Sequence, residues 1–99
     1  MDESGTQESI RPDGERILDE VWRMAEKARR VIQAAAVEAY GRPGMYVIMA
    51  QVMQRANISD PEEFRTIAAY LEERGWIAEA DPDYGVFVLT PEGIDEATN

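Results

Sequence analysis

Apolar residues in the first third of the chain keep a helical spacing for longer than a small domain requires. Leu18, Val21, Ala25, Ala28, Ile32, Ala35 and Ala39 recur at alternating steps of three and four, which places them on one face of a helix. Ile17, Trp22, Met24, Val31 and Ala36 widen that stripe. The spacing predicts a helix from about Asp13 to Tyr40. Pro12 sits in the first turn, where a missing N–H costs nothing, and Gly41, Pro43 and Gly44 end the helix. At 1.5 Å per residue such a helix is roughly 40 Å long. Its surplus apolar face needs a cover, and a second copy of the chain is the simplest one. The expected homodimer helix uses Leu18, Val21, Trp22, Ala25, Ala28, Ile32 and Ala35, with the alanines permitting close approach. The alternative cover is the chain's own C-terminal half.

A second helix is expected around Tyr46 to Ala56, with a short strand at Met45–Val47 before it. Val47, Ile48, Met49, Val52 and Met53 make this helix apolar on most sides and hence largely buried. Asn57, Ile58 and Ser59 form the following turn. A third helix has clear boundaries. Asp60 caps it, Pro61 occupies its first position, Glu63 completes a capping-box pattern, and Gly75 is its left-handed stop. Phe64, Ile67, Ala68 and Leu71 form its buried face. The period then falls from 3.6 to 2. Trp76–Ala80 and Val86–Leu89 read as a hairpin closed by Asp81–Gly85. Thr90 caps a last short helix ending near Ala97. The organisation expected is a polar, acidic, disordered tail over 1–11, a long helix over 12–41, and a domain over 45–97.

The segments MAQVMQRANIS, FRTIAAYLEERGWI and VFVLTPEG, in this order and spacing, resemble the winged helix-turn-helix superfamily over about residues 46–95. The third helix ends in Leu71, three polar residues, Gly75 and the pair Trp76–Ile77, and Leu89-Thr90-Pro91-Glu92-Gly93 closes the second strand. The resemblance implies a mainly α fold with a small β-hairpin wing, preceded here by a long N-terminal helix. It also implies duplex-DNA binding, with the third helix in the major groove. By position, the contacts would be Glu62, Arg65, Thr66 and Ala69, with Asp83 and Tyr84 at the wing.

Charge changes that picture. The net charge is −10. Residues 1–10 carry three acids and no base, and residues 11–44 hold seven bases against six acids. Residues 45–99 hold only Arg55, Arg65 and Arg74 against eleven acids. DNA affinity comes mainly from Lys and Arg neutralising phosphates, so duplex DNA is disfavoured and a basic protein partner is favoured. The best basic feature is the seven-residue repeat Arg16, Arg23, Arg30 with Lys27 beside it. These four are candidate phosphate contacts, although Asp19, Glu20 and Glu26 lie close enough to salt-bridge them. The leading expectation is a dimeric regulator acting through protein contact, and the alternative is a DNA-binding transcription regulator using helix 60–75 and wing 76–90. A third reading is a dimerisation or adaptor module of a larger system.

The remaining chemistry is sparse. The chain has no Cys and no His, which removes the thiolate, the imidazole base and the soft metal ligands. Asp81, Asp83 and Glu92 match positions one, three and twelve of a calcium loop, but Gly85 falls at five rather than six and strands flank it. Adjacent Glu62–Glu63 and Glu72–Glu73 diverge on a helix and cannot make a catalytic dyad. No enzymatic activity, cofactor or metal is expected. There is no signal-peptide pattern and no apolar run of bilayer length, so a cytoplasmic, non-membrane protein is expected.

Overall fold

A computed structural model of the protein describes the backbone of residues 4–99 and the side chains from Val21 onward. It is mainly helical, with a small antiparallel sheet. The elements are α1 (Ser4–Glu38), β1 (Tyr46–Ile48), α2 (Met49–Ala56), α3 (Pro61–Glu73), β2 (Ile77–Asp81), β3 (Val86–Leu89) and α4 (Pro91–Thr98). Helix α1 opens at Ser4, nine residues before the expected start. Residues 1–3 lie outside the described residues.

Three elements differ from the periodicity reading. Tyr46–Ile48 is strand, and α2 starts only at Met49. Val47 and Ile48 thus point to opposite sides of a sheet instead of widening a helix face, and α2 buries only Val52 and Ala56. The expected hairpin is the larger part of a three-stranded sheet, ordered β1-β3-β2. Tyr46, Val47 and Ile48 pair with Val88, Phe87 and Val86. The β2–β3 ladder runs from Ile77↔Leu89 and Ala78↔Val88 to Asp81↔Val86, slipping by one residue between. Glu79, at φ +53°, sits in that slip.

Helix α3 occupies the expected span. The Asp60 carboxylate accepts the Glu62 N–H at 3.0 Å, which satisfies an otherwise orphaned N-terminal donor. The capping box does not close: the Glu63 carboxylate turns instead to the Lys27 ammonium on α1. At its other end Gly75 adopts φ +76°, the left-handed conformation that lets the chain turn into β2. The Thr90 hydroxyl then serves two elements. It donates to the Gly75 carbonyl at 2.6 Å and accepts the Gly93 N–H at 3.0 Å. A Cβ at Gly93 would lie 2.0 Å from the Trp76 carbonyl oxygen. The Leu-Thr-x-x-Gly run is therefore the point where α4 crosses against the start of β2, and only glycine allows the approach.

One core joins all the elements. Ala28, Val31, Ile32, Ala35 and Ala39 of α1 are buried with Val52, Phe64, Ile67, Leu71, Ile77, Phe87 and Leu89. The rings of Phe64 and Phe87 pack at a tilt of 46° with centroids 6.4 Å apart. The buried part of the long helix thus shares its core with the elements that follow it. Alanine at 28, 35 and 39 lets α2 and α3 pack closely on α1.

Candidate functional site

The surface that the sequence singled out is the outer side of α3 together with the β2–β3 turn. Glu62, Arg65, Thr66 and Ala69 are all exposed on α3 because Phe64, Ile67 and Leu71 turn inward. Asp83 and Tyr84 are exposed at the turn, Tyr84 at 81%. The Asp81 carboxylate orders that turn by accepting the Asp83 and Tyr84 N–H groups at 3.1 and 3.4 Å. The single base among these residues is already engaged: Arg65 Nη1 lies 2.6 Å from Glu62 Oε2. The Thr66 hydroxyl donates to the Glu62 carbonyl at 3.2 Å. From Gly75 to Asn99 there are six acids and no Lys or Arg.

Two of the four residues in the candidate phosphate-binding stripe on α1 are likewise used within the molecule. Lys27 pairs with Glu63, and Arg30 Nε donates to the Ala56 carbonyl at 3.2 Å, capping the C-terminal end of α2. Neighbouring Arg29 donates to the Asn99 carbonyl at 2.8 Å and reaches Glu96 at 4.0 Å. Arg23 is exposed, and the side chain of Arg16 lies outside the described residues. Elsewhere Arg55 pairs with Glu38 at 2.8 Å, and Arg74 stacks on the rings of Tyr70 and Trp76, at 4.7 and 5.5 Å.

The structure divides the expected pairing helix. Ala28, Ile32 and Ala35 are buried in the chain's own core, the alternative use of the stripe, and so are closed to a second copy. Val21, Trp22 and Ala25 remain exposed, Trp22 at 73%, and Leu18 lies outside the described side chains. Beside Trp22 is a groove of about 310 Å³, lined by Ala25, Ile32, Tyr70 and Trp76 with Glu26, Arg29 and Glu96 at its rim. Sequence reasoning missed this groove. Its signal was Trp76 directly after the left-handed Gly75, which throws the indole back toward α1.

A second feature missed in the sequence is the Tyr46 clasp. The Tyr46 hydroxyl on β1 donates to Glu79 Oε1 on β2 at 2.6 Å, and β3 lies between those strands. The hydrogen bond with Glu79 and the negative charge beside it push the Tyr46 hydroxyl above its ordinary pKa. Among the described residues no cluster of three or more acidic side chains is placed to hold a metal ion, and no helix is long and apolar enough to cross a membrane. No family model, curated protein or solved structure matches the chain.

Proposed function

We propose that this chain is a winged-helix-type regulatory protein, dimeric through α1, that acts by contact with other proteins and not by holding duplex DNA. The element order supports the winged-helix reading: a helix leads into a short strand, two helices, a hairpin and a closing helix. The observation that carries the protein-contact reading is the sign of the α3 surface. Its one exposed outer-face base, Arg65, is bonded to Glu62, and the hairpin beyond it supplies none. A polyanion approaching that face meets carboxylates without cations to release counterions. The dimer reading rests on Val21 and Trp22, large apolar side chains left exposed where α1 leaves the core.

Fluorescence anisotropy of a labelled random duplex tests this directly. At about 50 mM salt the protein leaves the anisotropy unchanged up to high micromolar concentration; binding that weakens steeply with added salt identifies a DNA-binding regulator instead. Light scattering at the same concentrations reads the dimer separately, and a monomeric mass removes it.

A further inference from the structure

The sheet has two apolar faces and only one core. Residues paired across the ladders share a face, so the outer face consists of the rows Tyr46–Val88–Ala78 and Ile48–Val86–Asp81. An antiparallel sheet with one face on the core ordinarily turns polar side chains to water on the other. Here five of six outer positions are aromatic or aliphatic. Val88 is nevertheless only 5% exposed; its register partner Tyr46 bonds across β3 to Glu79. Tyr46 itself is 57% exposed and Ile48 48%. A shallow groove along this face is lined by Tyr46, Glu79, Ala80, Asp81, Tyr84 and Val86. It therefore joins two aromatic rings, an aliphatic floor and two carboxylates. Among the described residues Glu79 and Asp81 form no ion pair, whereas Glu38, Glu62, Glu63 and Glu96 each face an Arg or Lys.

We infer that this outer sheet face docks a segment of another protein that carries an arginine with an apolar residue two positions away. The inference rests on the protein-contact reading above and names the contact. A guanidinium stacks on tyrosine faces and pairs with carboxylates, and this groove presents both at once without a competing cation. In an extended segment, residues two apart face the same side, so the apolar neighbour falls on Ile48 and Val86 while the arginine enters between Tyr46, Tyr84 and Glu79. Strand β1 stands at one edge of the sheet, where a further extended segment can pair.

The test is an NMR titration of the full chain, ¹⁵N-labelled, with the peptide acetyl-Val-Ser-Arg-Ser-Val-amide against the same peptide with glutamate replacing arginine. Saturable shifts confined to the amides of Tyr46, Glu79, Ala80, Tyr84 and Val86 are expected with the arginine peptide and not with the glutamate peptide. Glu79→Gln and Tyr84→Ala should each weaken binding about threefold, with the spectrum itself reporting that the variants are folded. Equal shifts from both peptides, or none, overturn the proposal. So does movement of these same amides on dilution without peptide, which would mean that a second copy covers the face. If DNA and arginine peptide both fail to bind, the protein-contact reading stands and this site falls; if DNA binds, that reading falls whatever the peptide does.

Discussion

The basic residues of α1 and the acidic residues of the β2–β3 hairpin are put to opposite uses. Lys27, Arg29 and Arg30 each find a partner within the chain: a carboxylate on α3, the end of α4, and the last carbonyl of α2. They hold the helices together. Among the described residues Glu79, Asp81 and Asp83 form no ion pair; Glu79 accepts from a tyrosine hydroxyl and Asp81 from two backbone N–H groups. These three cations thus hold elements together, while the anions of the hairpin define its surface. Overall net charge alone could not have shown this, because it does not say which charges are already matched.

The largest effect expected is from the joint that keeps α4 in place for Arg29. Gly93→Ala puts a methyl group into the Trp76 carbonyl, and a clash with backbone cannot be relieved by a rotamer change. The substitution should destabilise the fold by about 2–4 kcal/mol, read as a lowered denaturation midpoint at unchanged slope. An unchanged midpoint would mean that α4 and the sheet are not joined there.

Next in size is an attempt to erase the contrast in charge. Glu62→Lys, Glu72→Lys and Glu73→Lys together turn the outer side of α3 basic and release Arg65 from its partner. Duplex-DNA affinity at low salt should rise at least about tenfold. If it does not rise, something other than the sign of this face prevents the contact.

The smallest effect concerns the clasp on the outer face. Glu79→Gln weakens the hydrogen bond and removes the charge that together hold up the Tyr46 pKa, so Tyr46 should ionise at lower pH, nearer the ordinary tyrosine value. Tyrosinate absorbance, with Tyr46→Phe subtracted to remove the other tyrosines, reports this. Because the folded-state value is raised, the contribution of the clasp is present at neutral pH and is lost as pH climbs through that raised value. Unaltered titration in Glu79→Gln would show that the clasp is open in solution.

Local rules made much of this fold legible in the sequence. The span of α3 followed from Asp60, Pro61 and Gly75, and the strand Val86–Leu89 followed from the change of period after Gly75 and the turn residues of Asp81–Gly85. What stayed hidden depended on distant partners. Glu63 satisfies the capping pattern by spacing, yet it pairs with Lys27, 36 residues away. The short strand expected at Met45–Val47 lies one residue later, at Tyr46–Ile48, because pairing with β3 sets its bounds. The stripe on α1 is one face in sequence, but burial splits it near Ala28, where contact with α2 and α3 begins. Of the candidate site, the acidic character was legible residue by residue. The neutralisation of Arg65 and Lys27 and the apolar outer sheet face required the tertiary structure.

The claim beneath all of these is that the face formed by α3 and the hairpin presents a negative potential. Paramagnetic relaxation of backbone amides by matched cationic and anionic nitroxide cosolutes measures that potential residue by residue. The amides of Glu62, Arg65, Thr66, Asp83 and Tyr84 should relax faster with the cationic probe. Equal rates, or faster relaxation with the anionic one, would contradict the account.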